Sequence, residues 1–271
     1  MKLAAHTDRI RAAGRKALVP YFTAGYPDDA TFLDLLATAA DTGCEVVEIG
    51  VPFSDPVADG PVIQQTGHAA LAAGVTLRRT LELAAAHHAT HGTALVIMSY
   101  LNPILTMGVD AFADAAAAAG VAGVILPDVP HEESAPLRAP LSRRGLNLVD
   151  LVAPTSGAER LEVIAGGSEG FLYLVSLTGV TGSALNTDGG LLEFIADVRR
   201  RTTTPCYVGF GVSTPEHARA LAPVCDGVVV GSALMRLVRD AAGPDAALGA
   251  ARRFLTTMNE ALNECPEGNA P

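Results

Sequence analysis

The chain has 271 residues, of which 49% are hydrophobic and 18% are charged, and its formal net charge is -10. This length and apolar content are sufficient for one large domain with a substantial core. The acidic balance argues against a surface for nucleic acid or anionic lipid, although a small local anion site is compatible with it.

The cysteines and histidines show no pattern typical of a metal site. No Cys-x-x-C pair is present, and the four cysteines are widely spaced: Cys44, Cys206, Cys225 and Cys265. His87, His88 and His91 share a predicted helix and are interpreted as surface residues. The N-terminal residues lack the apolar core of a signal peptide, and no apolar run approaches the roughly 20 residues that cross a bilayer. We therefore expect a cytoplasmic protein with reduced, mostly buried thiols and no metal.

Apolar segments typical of strands alternate with helical patterns along the chain. Near-continuous apolar runs of this kind are typical of parallel strands covered by helices. Eight strands are predicted: Leu18–Thr23, Glu45–Gly50, Ala94–Tyr100, Gly123–Leu126, Asn147–Val152, Phe171–Ser176, Cys206–Phe210 and Gly227–Val230.

Helix-start residues lie in the gaps between these strands. Ser156–Glu159 has the spacing of a capping box, in which the first and last side chains satisfy backbone N–H groups. The other predicted helix starts are Asp28 or Asp29, Thr76, Asp110 and Asp245.

Eight β/α repeats in about 250 residues, without a linker, predict an α/β fold of the single-domain (β/α)8 TIM-barrel type over residues 1–271. Residues 1–15 are predicted to add an N-terminal helix, and residues 265–271 a disordered tail. A doubly wound sheet is the alternative, but its Gly-x-Gly-x-x-Gly turn is missing after the first strand. In a TIM barrel, the active site lies at the C-terminal ends of the strands.

Two carboxylates in the segment Glu45–Pro61 are candidate catalytic groups. Glu48 lies inside an apolar strand near its C-terminal end, where an unpaired charge is costly. Asp59 follows on a proline-rich loop that can fold back over that strand end. Each has a simpler interpretation, because backbone donors could satisfy Glu48 and Asp59 could be a turn residue.

Glycines follow the last three predicted strands, where a phosphate group could bind. Glycines let backbone N–H groups approach an oxyanion, and a helix N-terminus favours negative charge. Tight turns between strand and helix are the alternative explanation for the same residues. The candidate phosphate contacts are Gly182, Gly211, Gly231 and Ser232.

Apolar and aromatic side chains near the strand ends are predicted to point into the barrel. Every barrel has such layers, but beside a phosphate site and a glutamate they suit a flat aromatic group. These residues are Tyr21, Met98, Ile125, Leu151, Tyr173, Phe210 and Val229.

Glu45–Pro61 closely resembles the signature of the tryptophan synthase α-subunit family, which continues from a strand-end glutamate into Pro-Phe-Ser-Asp-Pro-x-Ala-Asp-Gly-Pro. The resemblance covers nearly the whole chain. It departs at Leu177–Thr178, where some relatives carry arginine or serine, which could alter phosphate steering. The other matching motifs are Leu18–Pro27, Ser99–Pro103, Asp128–Ser134, Gly179–Gly182 and Gly209–Gly211.

The resemblance implies a lyase that cleaves indole-3-glycerol phosphate to indole and glyceraldehyde 3-phosphate in tryptophan biosynthesis. It implies that Glu48 and Asp59 are the catalytic pair and that Thr181 holds Asp59 on a closing loop. The phosphate and indole pockets then comprise the residues named above. No cofactor is expected in this chain, because in the family pyridoxal phosphate belongs to the β subunit.

The resemblance also implies a partner. A β subunit is expected to dock on this barrel face in an α2β2 tetramer, near Pro52, Asp55 and Asn102. Loops 53–60 and 179–190 are expected to be mobile in the isolated chain and to close when it docks. Two alternatives stay open: a stand-alone lyase that releases free indole, and a barrel that acts mainly as an allosteric activator.

Overall fold

The computed structural model describes residues 2–175, 189–209 and 211–264. In these ranges, parallel strands form a nearly closed barrel in the order β5-β4-β3-β2-β1-β9-β8-β7-β6, which confirms the predicted TIM barrel. The strands are β1 Ala17–Thr23, β2 Val46–Gly50, β3 Ala94–Met98, β4 Val121–Ile125, β5 Asn147–Val149, β6 Leu151–Val152, β7 Leu172–Val175, β8 Cys206–Gly209 and β9 Gly227–Val230.

The predicted fifth strand is divided in two at Asp150. The segment before it, β5, pairs with β4, and the segment after it, β6, pairs with β7, so the chain changes its neighbour at this residue. The buried Asp150 carboxylate accepts hydrogen bonds from Arg138 Nη2 at 2.7 Å and Ser168 Oγ at 2.9 Å, and its Oδ1 lies 2.9 Å from His131 Nδ1. These partners offset the cost of burying the charge on the helix side of the barrel.

The helices surround the barrel, and several begin where the sequence predicts. Asp28 Oδ1 accepts from Thr31 N at 2.9 Å, and Thr76 Oγ1 accepts from Arg79 N at 3.2 Å. The helices are α1 Leu3–Ala12, α2 Asp29–Asp41, α3 Pro61–Ala72, α4 Leu77–His88, α5 Leu101–Met107, α6 Val109–Ala118, α7 Ala135–Arg143, α8 Ala158–Gly167, α9 Gly189–Arg201, α10 Pro215–Leu221, α11 Ser232–Arg239 and α12 Pro244–Asn263, with a 3-10 turn at His131–Glu133.

The capping box predicted at Ser156–Glu159 is wrong. Gly157 is the N-cap of α8 and has no side chain to bond the helix. Ser156 Oγ instead accepts from Ala153 N at 3.2 Å, so its hydroxyl closes the turn before the helix. Serine bonds nearby backbone in turns as readily as at helix ends, which explains why the spacing misled.

Helix α1 covers the N-terminal end of the barrel. Leu3 is fully buried there, and a Cβ added at Gly123 in β4 would lie 2.7 Å from its Cδ2. Thr7 Oγ1 donates to Gly170 O at 3.0 Å. The predicted tail, residues 265–271, lies outside the described residues.

The burial of the described cysteines agrees with the sequence prediction, whereas that of His87 does not. Cys44, Cys206 and Cys225 are free and buried as predicted, and Cys265 lies outside the described residues. His87, predicted at the surface, is buried instead, with its ring stacked on His91 at a centroid distance of 4.5 Å. In the described part of the chain, no helix is long and apolar enough to cross a membrane.

We expect the burial of His87 to make the protein less stable in acid. Burial lowers the pKa of His87 from 6.5 to about 4, with smaller contributions from His91 and His88. Between these values the unfolded chain binds a proton that the folded chain excludes, so the free energy of unfolding falls as pH drops from 6.5 to 4. Urea unfolding measured across this range should show a smaller decrease for His87→Gln than for the unsubstituted protein.

The matched control is His68→Gln, at an exposed position on α3. It should retain the pH dependence of the unsubstituted protein. Equal pH dependence for the two variants would contradict the assignment to His87.

Candidate active site

Glu48 lies inside the barrel, at the end where the strands finish. In the sheet it pairs in register with Tyr21 of β1 and Val96 of β3. It is 4% exposed, and its Oε2 has no hydrogen-bond partner among the described residues. Burial and, to a smaller extent, the nearby Asp59 carboxylate together raise the pKa of Glu48 to about 8. A carboxyl group in this setting can give and take a proton near neutral pH.

Asp59 is the second carboxylate of the site, on the loop after β2. It is 8% exposed, and burial raises its pKa to about 7, while a hydrogen bond with the Tyr100 side chain opposes the increase. Tyr100 also holds the loop: its Oη accepts from Ala58 N at 2.9 Å, and its ring stacks on Phe53 at 5.0 Å. Tyr100 therefore holds the loop at two points, Phe53 and Ala58.

The two carboxylates interact electrostatically, because the charge of Asp59 contributes to the raised pKa of Glu48. Two buried negative charges so close together are unfavourable, so one proton is retained by the pair. The hydrogen bond with Tyr100 stabilises the ionised form of Asp59, whereas Glu48 Oε2 has no such partner among the described residues, so Asp59 ionises first as pH rises. Near neutral pH the arrangement therefore favours a protonated Glu48 beside an ionised Asp59.

Two tyrosines fill the barrel interior next to Glu48, in space that glycines leave open. A Cβ added at Gly50 would overlap the Tyr21 hydroxyl, and one added at Gly209 would overlap the Tyr173 hydroxyl. Both tyrosines are buried, and burial is the main cause that raises the pKa of each well above 10. The hydroxyls therefore stay protonated and can serve as hydrogen-bond donors.

The remaining predicted pocket residues share the inward face of the sheet where they are described. Met98 pairs with Gly50 and with Ile125, so both lie on the face of Glu48. Leu151 pairs with Tyr173, and Val229 pairs with Val19 of β1. Phe210 and Thr181 lie outside the described residues.

Two predicted phosphate contacts lie where β9 meets α11. Gly231 is the N-cap of α11, and Ser232 is its first residue. Ser232 Oγ is buried and has no hydrogen-bond partner among the described residues. Gly211, after β8, has a positive φ of 81°, which favours glycine. Gly182 lies outside the described residues.

The predicted partner contacts follow the C-terminal ends of β2 and β3: Pro52 and Asp55 on the loop after β2, and Asn102 in α5. Asp55 and Asn102 are exposed, whereas Pro52 is buried. Two large apolar side chains nearby in sequence are also exposed, Val57 at 78% and Leu105 at 53%.

Tyr100 lies in the Ser99–Pro103 motif, but the sequence predicted no role for it. Its position directly after a strand, in a barrel whose site lies at strand ends, is the signal that could have identified it. In the described residues, no group of three or more His, Cys, Asp or Glu side chains is placed to hold a metal ion.

The fold and the site define a TIM-barrel enzyme whose buried carboxylates are suited to acid–base chemistry. Residues 7–263 match the family model described as "Tryptophan synthase alpha chain". The tryptophan synthase alpha chain of Carboxydothermus hydrogenoformans is 45% identical over 230 residues, covering 85% of this chain and 86% of that protein. That of Picosynechococcus sp. is 43% identical over 255 residues, covering 93% and 96%.

Solved structures agree with the sequence comparison. Tryptophan synthase subunit alpha from Legionella pneumophila str. Paris superposes with a TM-score of 0.89 at 35% identity, covering 97% of this chain and 98% of that one. The chain belongs to the tryptophan synthase alpha chain family. It is a lyase of tryptophan biosynthesis that cleaves indole-3-glycerol phosphate to indole and glyceraldehyde 3-phosphate, and the family chain itself binds no cofactor.

We expect Gly50→Ala to destabilise the protein, because the new methyl group would occupy the space of the Tyr21 hydroxyl. Overpacking of this kind in a buried strand costs about 1–3 kcal/mol. Urea unfolding provides the measurement. Gly67→Ala is the matched control, since nothing lies within 4 Å of a Cβ added there, in the middle of α3. It should be neutral or stabilising by about 0.5–1 kcal/mol. Equal effects of the two substitutions would contradict the close approach of Tyr21.

Proposed function

We propose that the cleavage of indole-3-glycerol phosphate is carried out by Glu48 and Asp59. The observation that carries this proposal is the environment of Glu48, a buried carboxyl beside a second carboxylate, with one oxygen that has no hydrogen-bond partner in the described part of the chain. Burial brings its pKa to about 8, so the group can be an acid in one step and a base in the next.

In the first step, the protonated Glu48 carboxyl gives its proton to C3 of the indole ring. The ring then carries a positive charge centred on its nitrogen. An ionised Asp59 that accepts the N1–H hydrogen bond stabilises this charge, because the interaction strengthens as the charge develops.

In the second step, the carbon–carbon bond between the indole ring and the glycerol chain breaks. The glycerol hydroxyl on the reacting carbon loses its proton to the Glu48 carboxylate, and its oxygen becomes the aldehyde oxygen. The electrons of the broken bond return to the indole ring. Glu48 regains its proton, so the site is ready for a further turnover.

The rest of the site positions the substrate in this proposal. The backbone of Gly211 and Gly231 holds the phosphate together with the side chain of Ser232. The buried Ser232 hydroxyl at the start of α11 supports this role, because it has no partner within the ranges that the structure describes. Tyr21 and Tyr173 lead the residues that enclose the indole ring. The remaining assignments are Gly182 for the phosphate, Thr181 for the loop beside Asp59, and Met98, Ile125, Leu151, Phe210 and Val229 for the indole pocket.

Glu48→Gln and Asp59→Asn should each lower kcat by about 10²–10⁴-fold, the usual scale for acid–base groups. The first variant keeps the shape of Glu48 without the transferable proton, and the second cannot offset the charge on the ring nitrogen. Indole release provides the measurement. Glu82→Gln and Asp34→Asn, at exposed helix positions, are the matched controls and should keep normal turnover. Near-normal turnover in either site variant would refute its assignment.

We further propose that a pyridoxal phosphate-containing β subunit docks over the C-terminal end of the barrel in an α2β2 assembly. Exposed Asp55 and Asn102, together with exposed Val57 and Leu105, support this surface, and Pro52 would shape the loop from beneath. The named relatives favour the paired subunit over the stand-alone lyase and the pure activator. The buried free thiols suit a reducing compartment, so we place the protein in the cytoplasm.

Titration with the cognate β subunit should raise the rate of indole release until one β chain is present per α chain. Docking stabilises the closed arrangement of the loops. Asp59 is then better aligned with the bound substrate. Asp55→Lys should shift the titration to higher β concentration, whereas Asp34→Lys on the exposed face of α2 should not. A flat titration with high activity at the start would favour the stand-alone lyase instead.

A further inference from the structure

A pair of buried threonine hydroxyls joins the first strand to the helix that follows the catalytic loop. Thr23 is the last residue of β1, Thr66 lies in the middle of α3, and their Oγ1 atoms are 2.8 Å apart. Thr23 is 1% exposed and Thr66 is 0% exposed. Burying a hydroxyl is unfavourable unless it is hydrogen-bonded, so this pair is stable only when its geometry is met.

The hydrogen bonds in this pair have a defined direction. Thr66 Oγ1 gives its one proton to the carbonyl oxygen of Ile63 at 3.0 Å. With that proton engaged, Thr66 Oγ1 accepts from Thr23, because a hydroxyl group has a single proton. Thr23 follows Tyr21 by two residues on β1, so the two side chains lie on the same face of the strand. The resulting chain of hydrogen bonds runs from Thr23 of β1 through Thr66 to the backbone of α3.

The two elements that this chain joins, β1 and α3, lie beside the two halves of the carboxylate pair. On β1, Tyr21 pairs in register with Glu48 and fills the space above Gly50. At the other end, α3 begins at Pro61, two residues after Asp59. The side chain of Gln64 on α3 donates to Asp59 O at 2.9 Å. A shift of α3 would therefore move the backbone of Asp59 relative to Glu48.

The other contacts of α3 fix its position along β1 less firmly than the hydroxyl pair does. Its apolar residues, among them Val62 and Ile63, are buried, but apolar contact is not directional and permits sliding. Arg239 Nη1 donates to Gln65 Oε1 at 2.7 Å in an exposed position, where water competes. The hydroxyl pair is directional and dry, so it can specify one position of α3 along β1.

We propose that Thr66 is a positioning residue for Asp59, acting with Thr23 to fix the position of α3 along the first strand. This proposal rests on the proposed role of Asp59 in the reaction. Thr66 takes no part in bond making or breaking. Its effect is on alignment, and a carboxylate displaced by a fraction of an ångström stabilises the developing charge less well.

The test is Thr66→Val, which keeps the shape of the side chain and removes the hydroxyl. We expect kcat for indole release to fall about tenfold, in keeping with a small misplacement of a catalytic group. We expect KM to change less than about twofold, because the proposed phosphate contacts are untouched. Thr66→Ser restores the hydroxyl and should recover most of the lost kcat.

Thr80→Val is the matched control. Thr80 is also 0% exposed, and its Oγ1 donates to Thr76 O at 3.0 Å within α4. It makes the same substitution in a neighbouring helix and should leave kcat unchanged. Unfolding of both variants is followed in urea, so that a loss of folded protein is separated from a loss of alignment.

A double substitution separates this proposal from the proposed function. If Thr66 acts through Asp59, adding Thr66→Val to Asp59→Asn should lower kcat no further than Asp59→Asn alone. The inference would be overturned if the two substitutions lowered kcat by the product of their separate effects, or if Thr66→Val had a normal kcat. It would also be overturned if the loss of kcat in Thr66→Val only followed the loss of folded protein. Normal turnover in Asp59→Asn by itself would instead refute the proposed function.

Discussion

The burial of one carboxyl group inside an apolar barrel is the constraint on which the rest of this site depends. Glu48 has an oxygen without a partner in the described residues, so its charged form is poorly solvated and the pKa of the group rises to about 8. A carboxyl placed in this way destabilises the folded chain when it is ionised. That cost is the physical origin of its capacity to exchange protons near neutral pH.

The surroundings of Glu48 combine large side chains with missing ones. Tyr21 and Tyr173 lie over the neighbouring strands β2 and β8 because Gly50 and Gly209 have no Cβ. Small and large residues therefore alternate between neighbouring strands. The same tyrosines keep their protons, since burial raises their pKa values. Most of the surface around Glu48 is thus apolar, and its polar groups are few.

The strand pattern, most helix starts and the chemical candidates were available from the sequence because they depend on local features. Apolar runs with helical gaps predicted the barrel, and side chains such as Asp28 and Thr76 cap helices through atoms three residues away. Glu48 could be singled out because a charged residue inside an apolar strand is costly wherever that strand lies. The family resemblance strengthened this candidate and paired it with Asp59.

Tertiary structure alone decided which polar groups are buried and what they meet. His87 lies on an ordinary amphipathic helix, yet it is buried. Asp150, at which the fifth predicted strand is divided, accepts hydrogen bonds from side chains on other elements. Thr23 and Thr66, 43 positions apart, meet at 2.8 Å, and nothing in their neighbouring residues indicates this. Sequence periodicity records which face of an element turns inward, whereas the partner of a buried polar atom depends on how distant segments pack.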